Sequence, residues 1–334
     1  MEAEAVLTSA DKYNCMPETI VEEKGLKENV SGRKGVGVIG VPMSYGASMA
    51  GVDMGPAALR VARLVERVAD LGYEVRDIGD LPVTRSRAHA KPEDKLKYID
   101  LIKSVCEQLA KEVDQVLSAG ELPITLGGDH SIAMGSIAGF AAHCKRENVT
   151  PGLIWFDAHA DMNRPDTTPS GNIHGMPLAV VIGYGAPELL EIGGINPKVS
   201  PEYCVHIGAR DIDAGERELI RRLGLRVITM REIDERGMSA CMDDAISIAS
   251  TANGGYMVTF DVDALDPGDA PGSGTLVRGG LTYREAHLAM EKISEAGGLK
   301  ALEVVEINTA LDINNKTAEL GVELILSALG KTIL

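Results

Sequence analysis

Gly152-Leu153-Ile154-Trp155-Phe156-Asp157-Ala158-His159-Ala160-Asp161 runs an apolar segment straight into carboxylates and an imidazole at every second position. The same design recurs a hundred residues on, where Tyr256 to Phe260 leads into Asp261-Val262-Asp263. Short apolar runs of this kind read as buried strands. In an extended chain, residues two apart point the same way. Asp157, His159 and Asp161 are therefore expected to converge on one point, and Asp261 and Asp263 on another. Ionisable groups gathered at strand ends repel one another and resist desolvation unless a cation holds them. The pattern points to a metal centre.

Outward from these stretches, apolar strands alternate with amphipathic segments along the chain. Strands are expected at Gly35 to Pro42, Glu74 to Ile78, Pro123 to Leu126, 152–157, 203–208, 226–230, 256–262 and 301–306. Helices are expected from Gly55-Pro56 through Val68, within Lys91 to Gly120, after His130, and over 175–183, 214–223, 238–251, 282–296 and 315–330. Strict alternation implies a mainly parallel sheet covered on both faces. The expected fold is α/β, a three-layer αβα sandwich on a central sheet of about eight strands. No interior linker or repeat divides residues 35–334, which read as a single domain. Ligands of open parallel sheets bind beyond the carboxyl ends of the strands. His130, Asp157, Arg210, Asp261 and Glu306 all fall at such ends.

Composition narrows the function classes. The 334 residues are 45% apolar and 25% charged, with a formal net charge of −16. With no basic block, that charge excludes a phosphate-backbone partner; it fits a cationic small molecule, or solubility alone. No apolar run is long enough to cross a bilayer. Residues 1–34, with Glu2, Glu4, Glu18, Glu22 and Glu23, lack a signal-peptide core and read as an N-terminal extension. The scattered cysteines (Cys15, Cys106, Cys144, Cys204, Cys241) form no CxxC pair and suit free thiols in a cytoplasmic protein.

Gly35-Val36-Gly37-Val38-Ile39-Gly40 matches the dinucleotide fingerprint GxGxxG, but its glycines lie inside a strand and no helix opens at Gly40, so it is rejected. Adding His130 of Gly127-Gly128-Asp129-His130-Ser131 to the aspartate clusters gives two imidazoles and four carboxylates. Such a set balances two divalent ions with a hydroxide between them, and the imidazoles favour a transition metal such as Mn²⁺ over Mg²⁺. Metals about 3.5–4 Å apart activate a bridging water, so metal-assisted hydrolysis follows. His174, in the polar loop Ser170-Gly171-Asn172-Ile173-His174-Gly175, is a candidate proton shuttle. Glu306, after the run Leu302 to Val305, suits a guanidinium. Glu303, inside that run, reads as an exposed strand position. Trp155 reads as packing, and His89, His143, His206 and His287 show no partner pattern.

Taken together, GGDHS at 127–131, DAHAD at 157–161, SGNIHGMPL at 170–178, IGARDID at 207–213, FDVDALDP at 260–267, GGLTYRE at 279–285 and VVEIN at 304–308 resemble the ureohydrolase superfamily, most closely its arginase family. The similarity runs from about Gly35 to Leu329. The resemblance implies two Mn²⁺ per subunit, one held by His130, Asp157, Asp161 and Asp261, the other by His159, Asp157, Asp261 and Asp263. It implies attack on the guanidinium of L-arginine oriented by Glu306, giving ornithine and urea, with Asp263 passing a proton to the leaving amine and His174 exchanging protons with solvent. Asn163, Ser170 and Asn172 would receive the α-carboxylate, Asp213 the α-amino group, and Thr275 would line the guanidinium end. It also implies a homo-trimer or homo-hexamer. The chain departs from the family pattern at Ala47, at Leu276 and Arg278, and at Thr309, where two prolines are lost and loop geometry is expected to loosen. Two alternatives remain: a sibling hydrolase of agmatine or guanidinobutyrate, and a catalytically silent metal-binding homologue.

Overall fold

The computed structural model describes residues 35–84 and 96–333, so the expected extension over residues 1–34 lies outside the described residues, as do Cys15 and His89. Eight strands form one sheet: β1 (Gly35–Val41), β2 (Glu74–Asp80), β3 (Leu122–Gly127), β4 (Gly152–Phe156), β5 (Cys204–Ala209), β6 (Arg226–Thr229), β7 (Tyr256–Asp261) and β8 (Leu299–Val305). Their order is β2-β1-β3-β8-β7-β4-β5-β6, and every pairing is parallel. All eight expected strands are present, within a few residues of their predicted ends. The glycines of the rejected fingerprint lie inside β1, as expected.

The inner strands are largely apolar because both faces are covered. Ile154 and Phe156 pack into one core while Leu153 and Trp155 pack into the other, as the period of two requires. The first face carries α1 (Gly55–Val61), α2 (Leu64–Ala69), α8 (Met230–Arg236), α9 (Met238–Ala249), α10 (Tyr283–Ala296) and α11 (Lys316–Ala328). The second carries α3 (Ile99–Ser118), α4 (Ala133–Arg146), α5 (Pro177–Val181), α6 (Pro187–Leu190) and Leu219 of α7 (Ala214–Leu223). The result is the three-layer αβα sandwich. No helix among the described residues is long and apolar enough to cross a membrane. Cys106, Cys144, Cys204 and Cys241 are buried.

The helix expectations need correction at α1 and α2, at α6, which was not foreseen, and at α8. The segment after Gly55-Pro56 is broken between α1 and α2, because Arg63 adopts a left-handed φ of 64°. α8 was not foreseen, although Thr229 caps it by accepting from the Glu232 backbone N–H (3.3 Å) and Gly237 closes it.

The carboxyl ends of β1, β3 and β8 are bound together around Gly128. Its carbonyl accepts from the Glu306 N–H (2.8 Å), and the Asp129 N–H donates to the Met43 carbonyl (2.9 Å). A Cβ on Gly128 would lie 2.4 Å from the Met43 oxygen and 2.6 Å from the Val41 oxygen. Backbone atoms cannot step aside as a side chain can. Gly128→Ala is therefore expected to lower unfolding free energy in urea by about 1–3 kcal/mol, the usual penalty of overpacking. Gly175→Ala, with nothing within 4 Å of the added carbon, should stay near the parent value.

Candidate metal centre and substrate cleft

Three strand ends deliver the acidic cluster. His130 opens the turn after β3, Asp157 follows β4, and Asp261 ends β7. His130 Nδ1 lies 3.0 Å from Asp157 Oδ2, 3.1 Å from Asp161 Oδ2 and 3.3 Å from Asp261 Oδ2. His159 Nδ1 lies 3.1 Å from Asp263 Oδ2 and 3.5 Å from Asp157 Oδ1. Two donor groups result, His130 with Asp157 and Asp261, and His159 with Asp157 and Asp263. The expected grouping, with the first triplet on one point and the second pair on another, is thus corrected: each group mixes strands, and Asp157 serves both.

The reason is that the chain is not extended where the ligating residues sit. Asp161 takes a left-handed φ of 52°, which swings its carboxylate back toward His130. Val262–Ala264 is a 3₁₀ turn whose Asp263 N–H donates to Asp261 Oδ1 (2.8 Å). Glu306 is also left-handed, at φ 63°. Such conformations in non-glycine residues persist where the surroundings dictate them.

The electrostatics call for a cation. Burial, then the charges of Asp263 and Asp157, push the Asp261 carboxyl well up; burial and Asp157 raise Asp161 to about 7. Asp157 goes the other way, because the imidazoles of His130 and His159 beside it outweigh its burial. Burial alone would lower both histidines, but the carboxylates overcome it and lift His130 well up and His159 to about 12. Even so, His130 Nδ1 and Asp161 Oδ2 are buried without a hydrogen bond of good geometry. Oxygens converging from several directions on one imidazole nitrogen suit a metal ion better than a proton. The residues present fit such a group.

A cleft of about 140 Å³ opens over the cluster, lined by His130, His159, Asp161, Asn163, His174, Gly175, Asp211, Asp213, Glu216, Asp261 and Thr275. A neighbouring cleft of about 130 Å³ shares His174 and Thr275 and adds Asn172, Glu306 and Asn308. His174 Nδ1 lies 3.0 Å from Glu306 Oε1, which also accepts from the His130 N–H (2.8 Å). Burial opposes protonation of His174, yet Glu306 and Asp161 raise it to about 9. The Thr275 hydroxyl donates to Asp263 Oδ2 (2.9 Å), and Asn163 Nδ2 to Asp213 Oδ2 (2.9 Å). Asn172 exchanges hydrogen bonds with Ser48, and its Oδ1 accepts from Lys97 (3.0 Å). Ser170 lines neither cleft; its hydroxyl oxygen accepts from the Asn172 N–H (3.2 Å).

Other roles were missed or misread. Glu303 is not an exposed strand position but fully buried, because β8 is an inner strand flanked by β3 and β7. Trp155 does more than pack: its ring stacks on His130 at 4.2 Å and its indole N–H donates to Asp157 Oδ2 (3.2 Å). Arg210 faces backbone rather than ligand, donating to the carbonyls of Gly208, Asp263, Ala264, Leu265 and Val277. Asp211 and Glu216 join the cleft unannounced; Glu216 was signalled by its place three residues after the helix-capping Asp213. His206, for which no partner was foreseen, donates from Nε2 to the His159 carbonyl (2.6 Å).

Comparison with known proteins gives a consistent picture. The family model described as "Arginase family" matches residues 34–330. Arginase of Bacillus caldovelox is 46% identical over 302 residues, 90% of this chain and 100% of the relative. Its crystal structure superposes with a TM-score of 0.86 at 45% identity, covering 90% of this chain and 100% of that one. Arginase of Bacillus subtilis strain 168 is 47% identical over 301 residues, 90% of this chain and 99% of the relative. Entamoeba histolytica arginase, solved in complex with L-ornithine, superposes at 0.83 with 28% identity, covering 90% of this chain and 99% of that one.

His206 yields a pH test. Burial holds its imidazole down to about 4. It is thus neutral in the fold where the unfolded chain, with an imidazole pKa of about 6.5, already takes up a proton. Stability is withdrawn as pH falls from about 6.5 to about 4. His206→Gln keeps a donor near the His159 carbonyl and does not titrate. Urea unfolding across that range should show a shallower pH slope than the parent, by up to one proton.

Proposed function

The chain belongs to the arginase family, and from that membership we propose that this hydrolase cleaves L-arginine to L-ornithine and urea at a pair of Mn²⁺ ions. The observation that carries the metal reading is the convergence of Asp157, Asp161 and Asp261 oxygens on His130 Nδ1, with that nitrogen and Asp161 Oδ2 buried without a hydrogen bond of good geometry. His130, Asp157, Asp161 and Asp261 would hold one ion, and His159, Asp157, Asp261 and Asp263 the other. When bound, the pair supplies a water-derived nucleophile at neutral pH.

The remaining work falls to protein groups. Glu306 spends Oε1 on His130 and His174, leaving Oε2 to accept from a guanidinium. In the balanced reaction one water adds across the bond between the guanidinium carbon and the δ-nitrogen, and that bond breaks. Asp263, whose Oδ2 accepts from the Thr275 hydroxyl, would pass the departing amine its proton. His174 opens on both clefts and exchanges protons with solvent. Asn163, Ser170 and Asn172 would receive the α-carboxylate and Asp213 the α-amino group. The α-amino-acid clamp favours arginine over agmatine, which lacks the carboxylate. The accompanying proposals are one domain over 35–334, a homo-trimer or homo-hexamer, and a cytoplasmic protein.

Urea release from arginine and from agmatine in Mn²⁺ tests the substrate; activity on agmatine alone would end the arginine assignment. Removal of metal by chelation should abolish urea release, and Mn²⁺ should restore it. Asp161→Ala should lose bound metal and activity together. His174→Ala should keep its metal and turn over more slowly, by about 10²–10⁴-fold if it transfers protons in the slow step. Unchanged rates in both variants would refute the site map.

A further inference from the structure

Glu303 is a carboxylate in the middle of an inner strand, with apolar Leu302 and Val304 beside it and no exposed surface. A strand position with no task would be apolar, since burying a carboxyl is costly. Its Oε1 accepts from the Thr259 hydroxyl on β7 (2.8 Å), and its Oε2 accepts from the Ser136 hydroxyl on α4. The Thr259 oxygen lies 3.0 Å from His130 Nε2.

A hydroxyl has one proton to give. With that proton committed to Glu303, the Thr259 oxygen is left as an acceptor. His130 must then carry its proton on Nε2 and present a bare Nδ1 to the oxygens of Asp157, Asp161 and Asp261. The stacked Trp155 ring limits rotation of the imidazole. We propose that Glu303 is a positioning residue for the metal centre, fixing through Thr259 the one His130 tautomer whose Nδ1 can bind a cation. The proposal rests on the metal reading of the site. Without Glu303 the Thr259 proton is free to turn toward Nε2, which favours the tautomer with a proton on Nδ1, facing the ion.

The test is Mn²⁺ titration of the chelator-stripped full chain by calorimetry and electron paramagnetic resonance. His130→Ala and His159→Ala identify which binding step belongs to which histidine. Glu303→Leu should weaken the His130 step by about tenfold, as loss of an outer-shell partner does, and leave the His159 step unchanged. Glu303→Gln retains a carbonyl acceptor for Thr259 and should recover most of the affinity. Thr259→Val should show the same one-step loss, and the Glu303→Leu/Thr259→Val double variant should be no worse than Thr259→Val alone. Equal weakening of both steps, no weakening, full additivity, or a glutamine variant as impaired as the leucine variant would each overturn the relay. Should Glu303→Leu fail to fold, Thr259→Val and Ser136→Ala carry the same requirement of a loss confined to one step. A parent chain that binds no Mn²⁺ removes the metal centre itself and the relay with it, whereas unchanged variant affinities remove only the relay.

Discussion

Four aspartates buried around two histidines are the constraint on which the rest of this molecule depends. Asp157, Asp161, Asp261 and Asp263 are each no more than 5% exposed. Such a cluster is tolerable only if positive charge is brought to it. The sheet order supplies what local sequence cannot. β3 and β4 are separated in the sheet by β8 and β7, so the chain returns late to insert the strands leading to Asp261 and Glu306 between those leading to His130 and Asp157. The parallel direction of every strand then collects these residues at one end. Close backbone passage at Gly128 and left-handed turns at Asp161 and Glu306 do the final aiming.

Much of this was legible in the sequence, and the failures have particular causes. The inner strands show plainly because both faces are covered, which makes them largely apolar runs between turns, whereas the edge strand β2 carries Glu74, Arg76, Asp77 and Asp80. Membership of the cluster was legible because six residues of metal-ligand type, two histidines and four aspartates, fall at or just after the ends of such apolar runs. Its geometry was not. Period-two reasoning assumes an extended chain, yet β4 ends at Phe156 and β7 at Asp261, before the residues that matter have finished turning. Strand order is a property of chain return, so sharing of Asp157 between two histidines could not be read from local spacing.

Glu303 marks a different limit. A lone carboxylate in an apolar run carries no sign of which neighbour will meet it, and its partners Thr259 and Ser136 lie on a strand and a helix far away in sequence. The break at Arg63 is equally silent, having neither glycine nor proline to announce it. α8 was readable, since Thr229 followed three residues later by Glu232 is a helix-start signal. The difference is physical: caps and periods act over a few residues, while buried polar pairing acts across the fold.

The loss of two prolines near the cleft was expected to loosen it, and the structure supplies counterweights. The loop that carries Leu276 is tied on one side of that residue by the Thr275 hydroxyl to Asp263 and on the other by Arg210 to the Val277 carbonyl, at 2.7 and 3.2 Å. The same guanidinium reaches the carbonyls of Asp263, Ala264 and Leu265, so loop and 3₁₀ turn share one anchor. Thr309 follows Asn308, whose N–H donates to the Gly272 carbonyl (2.7 Å) and whose side chain donates to the Ala50 carbonyl (3.0 Å) and accepts from the Ala310 N–H (3.1 Å). A proline restricts one φ angle in both folded and unfolded chains. These hydrogen bonds restrict the loops only once the fold has formed, and those of Thr275 and Arg210 tie the first loop directly to Asp263. Leu276 itself remains 43% exposed, so the substitution alters the rim of the cleft while its floor keeps its anchors.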